Sequence, residues 1–226
     1  MNETETPKIT QKSFDLLDGL AADNSKDWFD AHCDEVKASL QAPFAATLHA
    51  VSARLPGTDM ELMGSADTMF RMNRDVRFSK DKRPYRESVA GLLTPSGAKK
   101  ETDGVVYVEL SPDGGWAGGG YYKLPTKALN VLRDRIVAKS DDRADTKAEI
   151  EARGGALVRD DSLTSMPRGY ADHADGPLAD ELKLKSLLVR GDLPKSAWLD
   201  GTAPERIAAT ALAVAPLIAF GRAARG

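Results

Sequence analysis

Seven basic side chains fall within sixteen consecutive residues, Arg71-Met72-Asn73-Arg74-Asp75-Val76-Arg77-Phe78-Ser79-Lys80-Asp81-Lys82-Arg83-Pro84-Tyr85-Arg86. Two aspartates accompany them, so the stretch carries a formal charge of +5 in a chain whose net charge is −3. Arginine presents a planar fork of donors that fits carboxylate or phosphate oxygens in pairs and stays charged at any working pH. Arg71, Arg74, Arg77 and Lys82 are therefore the candidate anion-binding residues. Asp75 and Asp81 are placed to orient them. A field of cations favours a neutral amine and a phenolate, so Lys82 and Tyr85, with Asp75, are the candidate groups for moving a proton on a bound anion. Phe78, Pro84 and Tyr85, interleaved with the charges, are expected to anchor the stretch. Two other readings use the same residues. One is an interaction module that meets nucleic-acid phosphates or an acidic protein. The other is an ion network of Arg74, Asp75, Arg77 and Asp81 that fixes the fold.

These residues must be held by the elements around them. Phe14, Leu17 and Leu20 recur every three residues and predict a helix over Gln11 to Ala22. Asn24 and Ser25 are N-cap candidates for a second helix carrying Trp28, Phe29, Val36 and Leu40. Pro43 kinks or restarts that helix, which continues through Phe44, Leu48, Val51 and Leu55 to the Pro56-Gly57 break. Ser88 to Thr94 and Val105 to Leu110 read as strands, the second ending at the turn signal Ser111-Pro112-Asp113-Gly114-Gly115. Trp116 to Tyr122 is the return strand, weakened by Gly118, Gly119 and Gly120. Pro125 opens a helix with Leu129, Leu132 and Ile136 on one face and Arg133 on another, turned toward the charged cluster or toward solvent. Asp141 to Arg153 reads as a mostly solvated helix, and short elements follow around Ala156-Leu157-Val158 and Leu187-Leu188-Val189. No repeat or linker marks a boundary. The expectation is a single α+β domain over 1–226, an antiparallel sheet packed with N-terminal, middle and C-terminal helices.

Composition bounds the rest. The 226 residues are 42% hydrophobic and 29% charged, as in a folded globular protein, and the one cysteine, Cys33, allows no internal disulfide. Met1 to Lys12 is polar and acidic, unlike a secretory leader. Ile207 to Phe220 is apolar, but short of the ~20 residues a bilayer needs and interrupted by Pro216. A soluble cytoplasmic protein without membrane contact is expected. His32, His49 and His173 lie far apart without carboxylates at ligand spacing, so neither metal nor cofactor is expected. The glycines at 114–120 match no phosphate-loop pattern and fit a tightly packed hairpin better. Arg133, Arg168, Tyr170 and His173 are further possible site residues, Cys33 is expected to be buried, and Trp28 and Phe29 are expected to be core anchors. The oligomeric state is left open.

The spacing Arg71-x-x-Arg74-Asp75-x-Arg77-Phe78-x-x-Asp81-Lys82-x-x-Tyr85 resembles the signature of DUF2461, a family of bacterial and fungal proteins of about this length. Asp27-Trp28-Phe29 after Asn24, Gly119-Gly120-Tyr121-Tyr122 before a Pro125-led helix, and Arg168-Gly169-Tyr170 agree in order. The resemblance runs from about Phe14 to Phe220. It implies a single α+β domain and assigns no reaction. The chain departs from the pattern at Lys123-Leu124-Pro125, a longer approach to the proline.

Overall fold

The computed structural model of the protein describes residues 8–101 and 103–225. Most of the polar stretch ahead of Lys12, and the side chain of Arg225, lie outside the described residues. The architecture is α+β, with a five-stranded antiparallel sheet in the order β1-β2-β3-β5-β4. The strands are β1 (Val89–Leu93), β2 (Val106–Ser111), β3 (Gly114–Tyr121), β4 (Ala156–Leu157) and β5 (Leu187–Asp192). The chain divides into two compact units. The first comprises the chain up to Ala117 together with Asp192–Ala208, the second Gly118–Gly191 together with the chain from Ala209.

In the first unit, α1 (Gln11–Ala22) buries Phe14, Leu17 and Leu20, as their spacing requires. Ser25 caps α2 (Lys26–Val36) by accepting from the Trp28 N–H, which leaves the Asn24 side chain free for another task. A π-helical stretch, Lys37–Gln41, joins α2 to α3 (Ala42–Ser52). Pro43 thus sits in the first turn of α3 and brings no N–H to the preceding turn. The carbonyl four residues earlier, on Ser39, accepts a 2.6 Å bond from the buried Ser13 hydroxyl of α1. Strands β1 and β2 pair antiparallel with Val89 opposite Leu110 and Leu93 opposite Val106. Every residue of β1 is buried, whereas β2 alternates, with Val106, Val108 and Leu110 inward.

Strand β3 starts at Gly114 and absorbs the three glycines expected to weaken it. Gly120 shows why the strand needs them. Its φ is +130°, and a Cβ there would lie 2.3 Å from the Leu187 carbonyl oxygen.

The second unit carries α4 (Thr126–Ala138), α5 (Ser140–Ala152), the short α6 (Ala179–Leu182) and strands β4 and β5. Helix α4 buries Leu129, Leu132 and Ile136 as predicted, and buries Arg133 as well. After α7 (Lys195–Leu199), α8 runs from Ala203 to Arg225. It is longer than the apolar run predicts, because Pro216 does not break it. The carbonyl that Pro216 leaves without its helical partner, on Leu212, accepts a 2.9 Å bond from Arg153 Nη1. By length and composition α8 is long and apolar enough to cross a membrane, yet 61% of its most apolar stretch is buried within the protein, as in a core helix.

Candidate functional site

Residues 72–86 form a loop closed at its base by backbone pairing. The Arg74 N–H donates to the Pro84 carbonyl and the Arg86 N–H to the Met72 carbonyl, each at 2.8 Å, and Asn73 lies opposite Tyr85. The base is fastened to the corner between α1 and α2. Asn24 Oδ1 accepts from the Tyr85 N–H at 2.9 Å, and Asn24 Nδ2 donates to the Tyr85 and Leu20 carbonyls, each at 3.3 Å. The Tyr85 ring is buried flat on Phe29, with centroids 4.0 Å apart and planes inclined by 6°. Phe78 departs from the expectation of an anchor. It is 95% exposed at the far end of the loop, with only the Arg77 guanidinium, 5.9 Å from its ring centre, set against it among the described residues.

Most of the loop's charges are satisfied within a few residues. Arg77 Nη2 lies 2.6 Å from Asp75 Oδ2, and Arg74 Nη1 lies 2.7 Å from Asp81 Oδ2. Arg83 meets the same Asp81 oxygen at 2.8 Å and Glu87 at 2.5 Å. Hydrogen bonds from Arg83, and then from Arg74, hold the Asp81 carboxyl far below the usual range; bonds from Arg77 do the same for Asp75. Lys82 Nζ donates to the Val76 carbonyl at 3.0 Å. Of the predicted site residues, then, Arg74, Asp81, Arg77, Asp75 and Lys82 are brought together as ion pairs and loop bonds, and Tyr85 is turned inward.

Arg71 differs. It makes no hydrogen bond or ion pair among the described residues, and it lines a cleft of about 610 Å3 in the first unit with its neighbours Met72 and Asn73. Lys37, after α2, and Lys99, in the loop between β1 and β2, supply two further cations, and no aspartate or glutamate belongs to the wall. The floor is apolar, with Phe29, Val36, Met69 and Phe70. Lys99 Nζ stands 5.5 Å from the centre of the Phe70 ring. Lys37 rests beside the Cys33 thiol and the Asp34 carboxylate, which together raise the affinity of its amine for a proton. Cys33 itself is half-buried and faces the cleft, where full burial was expected, because only Val36 of α2 is buried. Phe29 is likewise half-buried, serving as a wall between Tyr85 and the cleft. Sequence reasoning missed Lys37 and Lys99. Lys37 stands alone and Lys99 is one of a pair with Lys100, each about 30 residues from Arg71, so no local spacing joins them to it.

The remaining candidates lie in the second unit. Arg133 is buried and donates to the Leu182 carbonyl at 2.8 Å, the Leu184 carbonyl at 3.0 Å and Asn130 Oδ1 at 3.0 Å, so the expectation that it faces cluster or solvent is replaced by a structural seat. Tyr170 donates to Asp134 Oδ1 at 2.6 Å; burial, then that bond, pushes its phenol up to about 12. Arg168, two residues earlier, is exposed and without a hydrogen-bond partner among the described residues, and His173 closes a short 3-10 turn, half-exposed. His32 stacks on Trp28 at 4.2 Å. Among the described residues no three His, Cys, Asp or Glu side chains converge, so no metal set is assembled.

One family model, that of a conserved hypothetical protein (DUF2461), matches residues 12–220 of the chain. No curated protein matches it.

Proposed function

The chain belongs to the DUF2461 family, and from the geometry of its first unit we propose that it binds a small phosphorylated or carboxylated ligand in the cleft beside Arg71. The observation that carries this reading is the wall of the cleft, which presents three cations and no carboxylate in a protein of net charge −3. Arg71 keeps its whole donor fork for the anion, Lys99 adds charge from the side, and Lys37, already within reach of Asp34, adds less. The apolar floor provides for a ligand with a hydrocarbon or aromatic body behind its charged end. Residues 72–86 act as the frame: their ion pairs and the Asn24–Tyr85 bonds fix the loop from whose start Arg71 projects. The role is binding. The candidate proton carriers Lys82 and Asp75 are engaged within the loop, and Tyr85 lies behind Phe29.

Cys33 reports on the cleft directly. Its alkylation by a neutral maleimide, timed at constant ionic strength, should slow when phenyl phosphate or benzoate is added. Arg71→Ala should remove that protection and Arg77→Ala should keep it. Equal rates with and without either anion overturn the proposal.

A second reading rests on the exposed Phe78, which is flanked by Arg77, Lys80 and Lys82 at the loop tip. An aromatic face among cations suits a single-stranded nucleic acid. Retention of an oligonucleotide that falls steeply with salt and is lost in Phe78→Ala would favour it over the cleft. We place the protein in the cytoplasm, where a single half-buried thiol remains reduced, and read α8 as a core helix.

A further inference from the structure

The second unit holds a cationic cavity of its own. Its volume is about 540 Å3, and its wall includes Lys123, Arg133, Arg168 and Lys185 against one carboxylate, Asp161. Lys185 takes that carboxylate at 2.7 Å. Arg133 and Arg168 are left without a carboxylate, while Lys123, whose amine stands 4.9 Å from the centre of the Tyr122 ring, shares the field of Asp161. A neighbouring cavity in the same unit shows that this imbalance is local, because its wall sets Arg159 and Lys183 against Asp180 and Glu181.

Arg133 is the unusual member. It is 3% exposed, and all three of its bonds go to neutral oxygens. A guanidinium has five N–H donors, so two stay unused by these contacts, and its charge is buried without a counter-charge. Burial accordingly lowers its hold on the proton, with only the Tyr170 phenol acting the other way. Two exposed cations complete the wall. Arg168 sits on a turn fastened to α4 through Tyr170, whose hydroxyl donates to Asp134 and lies 3.2 Å from the Asn130 carbonyl oxygen. Lys123 is the only non-glycine among the described residues with positive φ, +44°, and its N–H is tied to Ser186 Oγ at 2.9 Å. The longer approach to Pro125 thus brings a lysine to the cavity. Helix α4 starts on the same wall at Thr126, with no side chain capping its first N–H groups, so its positive end adds to the field.

We propose that this cavity is a second ligand site, for the phosphate group of a small phosphorylated molecule, with Arg168 and Lys123 as direct contacts and Arg133 as the buried charge behind them. A phosphate monoester carries close to two negative charges at neutral pH and three oxygens to accept from these donors. The cavity exceeds one phosphate, and Leu124, Leu129 and Leu163 line the remainder for the ligand's less polar part. This site is independent of the cleft beside Arg71.

The test is a titration of the full chain with inorganic phosphate, against chloride at matched ionic strength, followed through backbone amide resonances. The amides of Thr126, Lys127 and Gly169 should shift and saturate, in the natural protein and equally in Arg71→Ala. Arg168→Ala and Lys123→Ala, both at exposed positions, should each weaken that saturation at least about tenfold, the loss expected for one charge-assisted bond. Amides that do not saturate at tens-of-millimolar phosphate, or that saturate equally in both variants, overturn the site. Failure of the cleft beside Arg71 would leave these shifts untouched, so the two proposals fail separately.

Discussion

The guanidinium groups of Arg77 and Arg133 each make three hydrogen-bond contacts, and they end in opposite electrostatic states. Arg77 sends all three to one carboxylate, Asp75, with its side chain 77% exposed. Arg133 sends its three to a side-chain amide and two backbone carbonyls, and is buried. The region around Arg77 is dense in cations, but Asp75 and Asp81 take Arg77, Arg74 and Arg83 as ion-pair partners, so those guanidinium forks are already occupied. The region around Arg133 is assembled from segments as far apart as residues 123 and 185, so no single stretch of sequence contains it. Lys185 is paired with Asp161, but Arg133 and Arg168 meet no carboxylate there. Density of charge along a chain and availability of charge in space are different quantities, and the second decides where an anion will settle.

Several substitutions would break or sharpen this contrast. The largest effect is expected at Tyr85, which holds the base of the charged loop. Tyr85→Ala should destabilise the protein by about 3–5 kcal/mol in urea unfolding, the usual loss for a buried aromatic ring. A much smaller loss would mean that the loop is not anchored and that its charges are freer than the contacts imply. Next is Arg133→Leu, which leaves the Leu182 and Leu184 carbonyls without their donor. It should cost about 2–4 kcal/mol on the same measurement. A stabilised variant would show that the buried charge dominates, and that the cavity depends on an anion even more than the contacts imply.

A pH series examines the other side of the comparison. Because Arg83 and Arg74 hold Asp81 protonated only at very low pH, its contribution to stability is present above the unfolded carboxyl value of about 4 and is lost as the pH falls toward the depressed folded value. The difference in urea midpoint between the natural protein and Asp81→Asn should therefore be largest near neutrality and shrink in acid. A difference that grows in acid contradicts the ion pairing. Arg77→Ala should have the smallest effect: its pair with Asp75 is solvated, and the midpoint should not move measurably.

The helices and strands were legible because their signals are local. The three-residue spacing of Phe14, Leu17 and Leu20, the Ser25 cap and the alternation in β2 are decided by neighbours within a turn or a pleat. The continuity of α8 through Pro216 was not legible, because Arg153, some sixty residues earlier, supplies the missing donor to Leu212. The burial of Ser13 against the Ser39 carbonyl ahead of Pro43 escaped for the same reason. At the candidate site, Arg71 was named from its motif, but which cations of that motif stay unpaired depends on loop geometry, and Lys37 and Lys99 reach the cleft only through the tertiary fold. Arg133 and Arg168 were noticed singly. What joins them is the bond from Tyr170 to Asp134, which fastens the turn at 167–170 to α4.

The central claim is that anions settle where cations lack carboxylates and pass over the places where cations are already paired. A crystal soaked in selenate, with the anions located by their anomalous scattering, tests it most directly. The account predicts selenium peaks beside Arg71 in the first unit and beside Arg168 and Lys123 in the second. Peaks confined to the Arg77 and Arg83 face of the charged loop, with both cavities empty, would contradict it.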